Sequence, residues 1–204
     1  MTHKLTTEEM GRLTVEEFRA SEKLPLTVVL DNVRSLNNIG SIFRTSDAFR
    51  VEHIALCGIT ATPPHREIHK TALGAEESVA WSYHEDTVEC VRELKERGYR
   101  VYAVEQVDDS VKLGMRNEEF APLRSQAVSP LEPGRGMRNE ELAIEGHSIA
   151  IVLGNEIEGV QEGVLPLCDG CLEIPQFGTK HSLNVSCAGA IVIWEMFKEL
   201  RIKN

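Results

Sequence analysis

Residues of the right type for chemistry crowd three stretches of this chain. Toward the C-terminus, IPQFGTKHSLNVSCAGAIVIWEM (residues 174–196) sets Ser182 and Asn184 directly ahead of an apolar run of helical character. Ser and Asn compete with the backbone for hydrogen bonds, so they are poor inside helices; at a helix start they satisfy orphan N–H groups or face a ligand. Capping alone needs only one of them. DNVRSLNNIGSIFRT (31–45) carries Asn38 and Arg44, and LGNEIEGVQEG (153–163) carries Glu156 between Gly154 and Gly159. A guanidinium grips phosphate or an anionic oxygen through a planar fork of donors, a carboxylate can hold such groups in place, and glycine lets backbone approach a ligand closely.

Several familiar chemistries are excluded. No GxGxxG follows the first apolar run and no GxxxxGK[ST] occurs, so neither a dinucleotide site nor a P-loop is supported. No GxSxG frames Ser182, and His181 beside it is poorly placed to act as its base. Cys168 and Cys171 form a lone CxxC, whereas a structural zinc site needs four ligands, and HREIH (65–69) is not HExxH; no metal site is expected. Five cysteines, an odd number in a chain of this size, read as reduced thiols. A net charge of -10 counts against diffuse attraction to nucleic acid, so any RNA contact needs a local basic rim, for which Arg44, Arg50, Arg66, Lys70, Lys180 and His181 are available.

The elements that must hold these groups follow from periodicity. Continuous apolar runs at 26–32, 53–59 and 148–155, with shorter ones at 78–83, 100–106 and 171–175, predict buried strands. Between them, 37–50, 66–73 and 87–97 predict helices, the last stopped by Gly98, and 183–200 predicts a closing helix with Ile191, Val192 and Trp194 toward the core. Strands alternating with helices give an α/β domain with a mostly parallel sheet flanked by helices. An N-terminal helix is expected over 4–21, with Thr14 and Glu17 spaced as a capping box. This divides the chain into a short helical extension (1–24) and one domain (25–204). Near 108–146 the pattern breaks down into Pro, Gly, Ser, Arg and Glu with GMRNEE twice, which reads as a long, poorly ordered insertion. No apolar run of 18 residues and no signal-like N-terminus point to a cytoplasmic protein without a membrane segment.

Together, NNIGSIFRT, LGNEIEGV and IPQFGTKHSLNVSCAGAIVIWE resemble, in that order, the three motifs of the SpoU or TrmH-like branch of the SPOUT RNA methyltransferases, over roughly residues 26–200. The resemblance implies a SPOUT-type fold with a C-terminal trefoil knot, a rare exception to unknotted topology. It also implies a homodimer, S-adenosylmethionine as cofactor, and methyl transfer to a ribose 2'-hydroxyl of tRNA or rRNA. By position in the motifs, Arg44 matches the family's catalytic arginine and Asn38 its asparagine. Glu156 matches the acidic residue of the second motif, expected to hold Arg44 or Asn38, while Ser182 and Asn184 are expected to orient ribose or cofactor. Cofactor contacts are implied at Val104, Gly154, Ile174 and Leu183.

Plainer readings stand beside these. Arg44 would be a surface arginine paired with Asp47, Glu156 an exposed loop residue, and Ser182 only a helix cap. A non-catalytic RNA-binding or assembly factor that kept the fold is the rival function, and a methyltransferase for a base nitrogen is a third.

Overall fold

In a computed structural model of the chain, residues 2–6, 9–108, 110–114 and 147–201 are described. Seven parallel strands form one sheet: β1 (Leu24–Asp31), β2 (Val51–Cys57), β3 (Ala80–His84), β4 (Arg100–Val104), β5 (Val111–Lys112), β6 (Ile149–Leu153) and β7 (Gly170–Glu173). Their order across the sheet is β3-β2-β1-β6-β4-β7-β5. β1 and β6 lie at the centre with almost every residue buried on both faces, which is why they are written as unbroken apolar runs.

Helices α1 (Val15–Ala20), α2 (Leu36–Ala48), α3 (Arg66–Ala72), α4 (Ala75–Ser78), α5 (Thr87–Glu96) and α6 (Val185–Arg201) flank the sheet. One face buries Leu26, Val28, Leu30, Ile149 and Ile151 together with Ile42 and Phe43 of α2 and Val192, Ile193 and Met196 of α6. The other buries Val29, Ala55, Val101, Ala150 and Val152 with Cys90, Val91 and Leu94 of α5. α2 and α3 approach unusually closely. A Cβ on Gly40 would stand 2.1 Å from Thr71 Oγ1 and 2.3 Å from the Ile68 carbonyl oxygen, so only glycine fits there.

Four expectations need correction. The helix expected over 4–21 shrinks to Val15–Ala20: the Thr14/Glu17 capping box forms as expected, but Thr6 and Glu9 exchange their own pair of side-chain bonds and Gly11 at φ 56° turns the chain. The closing helix starts at Val185, after an asparagine cap. On that helix Val192 is fully buried but Ile191 and Trp194 are 39% and 45% exposed, because only one stripe of α6 meets the sheet and α2. Lastly, β5 lies within the stretch read as insertion, a two-residue strand too short to show periodicity. The rest of that stretch, including the second GMRNEE copy, falls outside the described residues.

The α2–α3 contact yields a first prediction. Gly40→Ala forces one helix off the other and lowers stability by about 1–3 kcal/mol, read as a lower midpoint in urea unfolding; an unchanged midpoint would mean the helices separate freely.

Candidate cofactor and active-site cleft

The C-terminal ends of β4, β6 and β7 open into a cleft of about 470 Å³, the size of a nucleoside-binding site. Ligands collect at such strand ends in open α/β sheets. All four residues expected to meet a cofactor, Val104, Gly154, Ile174 and Leu183, line it. The turn after β6 folds back so tightly that Asn155 and Gly159 exchange both backbone bonds, at 2.9 and 3.0 Å. A Cβ on Gly154 would lie 2.1 Å from the Gly159 carbonyl carbon. The turn therefore presents bare backbone to the cleft, as a close-fitting adenosine requires, while Leu153, Leu172, Val185 and Ala188 supply apolar wall.

Three sequence-distant residues meet at this turn. Glu156 Oε1 accepts from the Ser35 N–H and from Asn38 Nδ2, each at 3.0 Å, and its Oε2 accepts from the Arg34 N–H at 3.0 Å. Asn38 Oδ1 in turn accepts from Asn184 Nδ2 at 3.1 Å. Burial alone would raise the Glu156 pKa, but the N–H groups of Arg34, Glu156 itself and Ser35, with the Asn38 amide, outweigh it and hold the carboxyl below the ordinary glutamate value. The carboxylate also faces the start of α2, where the helix dipole favours negative charge. Of the two partners expected for Glu156, the structure selects Asn38 and leaves Arg44 aside.

Asn184 has a second duty. Its Oδ1 accepts from the N–H groups of Ser186 and Cys187, at 2.9 and 3.3 Å, and from Ser186 Oγ at 2.6 Å, so it caps α6. The cap reading proposed for Ser182 thus belongs to Asn184. Ser182 lines the cleft, exposed, with no hydrogen bond to a described residue.

Arg44 lies six residues beyond Asn38, about 9 Å along the helix axis. It is exposed, does not line the cleft of its own chain, and pairs with no described residue. Asp47, its expected plain partner, instead accepts from Ser78 Oγ at 2.5 Å.

Residues missed in the sequence tie the turn down. Buried Asp31, at the tip of β1, accepts from Thr87 Oγ1 at 2.6 Å, Gln161 Nε2 at 2.6 Å and the Gln161 N–H at 2.8 Å. Asn155 Nδ2 donates to the Asn32 carbonyl at 2.8 Å. At the tip of β4, Glu105 Oε2 accepts from the Val160 N–H at 3.2 Å, and Gln106 Nε2 donates to the His181 carbonyl at 3.1 Å. An acid ending a buried apolar run is the signal that could have pointed to Asp31. The CxxC pair is half-buried against the α5 side, and burial first, with the neighbouring Cys171 and Asp169, pushes the Cys168 thiol up to about 12.

Glu156 gives a second prediction. Its folded pKa is depressed, so its stabilisation is complete above the unfolded value near 4.5 and disappears as pH falls through the lower folded value. The stability gap between wild type and Glu156→Gln, measured by urea unfolding, should therefore be constant from pH 7 to about 5 and narrow below that. A gap independent of pH would show that the charge plays no part.

Comparison with known proteins agrees with this geometry. Residues 25–194 match the model of the SpoU rRNA Methylase family. The chain is 32% identical over 187 residues to the tRNA (guanosine(18)-2'-O)-methyltransferase of Thermus thermophilus, covering 92% of this chain and 81% of that protein. Among solved structures, the TrmH/SpoU tRNA modifying enzyme of A. aeolicus superposes with a TM-score of 0.70 at 22% identity, over 93% of this chain and 83% of that one. The AdoMet-bound rRNA methyltransferase of Sinorhizobium meliloti gives 0.69 at 23% identity, over 90% of this chain and 60% of that one. At such identities the structural likeness speaks to the fold, and several relatives are longer, this chain spanning 58–63% of their length. A family match over most of the chain, joined to the hydrogen bonds Asn184–Asn38–Glu156 that tie the three motifs together, makes this protein a member of the SpoU rRNA methylase family.

Proposed function

We propose that this protein transfers the methyl group of S-adenosylmethionine to a ribose 2'-hydroxyl of tRNA or rRNA. The observation that carries the reading is the hydrogen-bonded line Asn184–Asn38–Glu156, which brings the three motifs to one edge of a nucleoside-sized cleft. S-adenosylmethionine would lie against the turn at Gly154, with Ile174 and Leu183 beside it, and supplies an electrophilic methyl carried on a sulfonium. The protein's share is then mostly positioning, since in-line attack by a sugar oxygen depends on placing it squarely on the methyl carbon.

Arg44 is assigned to the RNA. A guanidinium stays protonated and has no free lone pair with which to take a hydroxyl proton, so its role is to grip the neighbouring phosphate and stabilise the developing alkoxide, leaving a phosphate oxygen or water to take the proton. Ser182, whose hydroxyl is not committed to the described protein, is assigned to orient the ribose or cofactor, whereas Asn38, Glu156 and Asn184 hold the scaffold.

Two further parts of the reading concern assembly. Because Arg44 does not line its own cleft, it is proposed to act where two copies meet, in a homodimer. Exposed Ile191 and Trp194 on α6, with Trp194 packed on Phe49 and Phe197 at 5.5 and 5.7 Å between ring centres, support that face as the contact. The trefoil knot is supported by the strand order, since the chain leaving β7 must return past the β4 and β6 tips to seat α6 on β1 and α2. No described helix is long and apolar enough to cross a membrane, and the cytoplasm, where tRNA and rRNA reside, is the proposed location.

Mass spectrometry of ribose methylation in RNA from cells with and without the protein tests the reaction. One nucleotide should lose its methyl group in the absence of the protein. Arg44→Ala should leave it unmethylated while calorimetry still detects S-adenosylmethionine binding, and Arg44→Lys should restore little, since an ammonium lacks the two-pronged grip. Methylation unchanged in both cells would remove the enzyme reading in favour of an assembly factor. For the dimer, Trp194→Glu should shift sedimentation from two copies to one and reduce methylation; a wild-type monomer would sink that part.

A further inference from the structure

The described lining of the cleft contains Glu105, Glu156, Glu158 and Glu173 but no lysine, arginine or histidine. Lys180 and His181 stand on the loop before Ser182 without lining the cavity. These carboxylates are not equivalent. Glu173 is paired with Lys112 at 3.2 Å, and Glu156 is committed to the start of α2. Glu158 sits exposed at the tip of the turn. Glu105 differs from all three. It is half-buried at the end of β4, and among the described residues its two oxygens accept only from the backbone N–H groups of Gln106 and Val160, at 2.9 and 3.2 Å. No cation among the described residues forms an ion pair with it. Charges withdrawn from water are ordinarily matched by an opposite charge, and a half-buried carboxylate turned toward a ligand cleft is matched when a cation enters.

The methyl donor of the reaction above is such a cation. It carries a sulfonium and an ammonium against one carboxylate, and loses the sulfonium charge when the methyl leaves. Resting on the methyl-transfer reading, we propose that Glu105 is a specificity-determining residue that makes the cleft prefer the cationic sulfonium donor over the neutral thioether product. This preference clears the product after each turnover, because the charge that favoured entry is spent in the reaction.

Calorimetry on the full chain with S-adenosylmethionine and with S-adenosylhomocysteine tests this. The wild type should bind the donor on the order of three- to tenfold more tightly than the product at low salt, a gap that added salt narrows. Glu105→Gln, which keeps an acceptor for the Val160 N–H, should bring the two affinities together by weakening the donor alone, and Glu105→Asp should retain the preference. Equal affinities in the wild type, or equal weakening of both ligands in Glu105→Gln, would overturn the inference, the latter by reducing Glu105 to a prop for the turn. A wild type that binds neither ligand would overturn the methyl-transfer reading itself and this inference with it.

Discussion

The site depends on one carboxylate that receives hydrogen bonds from parts of the chain some 120 residues away. Glu156 is accepted into the start of α2 by the Arg34 and Ser35 N–H groups and by the Asn38 amide, and Asn38 passes the constraint on to Asn184. Without that acceptor the Arg34 and Ser35 N–H groups and the Asn38 amide would lose their shared partner, and the tight turn after β6 would lose its link to α2. Such a network has high stakes, since each member left unpaired costs more than the bond itself contributes. The sheet beneath supplies rigidity: Leu30, Leu153 and Val104 pair at one level near the ends of three parallel strands, so loops leaving them emerge on the same side.

The strands and most helices were legible because their residues obey simple periods. β1 and β6 are unbroken apolar runs, and α5 keeps Val91 and Leu94 inward between an Asp86 cap and Gly98. What escaped was non-periodic. β5 has two residues, and the 4–21 segment carries two capping boxes in tandem, of which only the second starts a helix. On α6, Trp194 looked like core from its type alone, yet the helix is mounted so that an aromatic edge faces outward beside Phe49.

The site was legible as a set of residues and much less so as a set of contacts. Gly154, Ile174, Leu183 and Val104 line one cleft. The division of labour was not readable, because Asn184 and Ser182 are two residues apart and equally able to cap; only the direction of the chain before Val185 decides which one does. Glu105 and Gln106 belong to no motif. Their importance comes from the strand end that carries them between two turns, a spatial fact with no local signature.

The hydrogen-bonded line through Asn38 is satisfied within the chain, and this has an evolutionary consequence. Its members answer to one another, while Arg44 and Ser182 answer to nothing in the described chain. Selection on the scaffold and selection on turnover therefore fall on different positions. A lineage could let Arg44 drift and keep the architecture intact, so a pseudoenzyme descended from this protein would be betrayed by a single side chain and not by its shape.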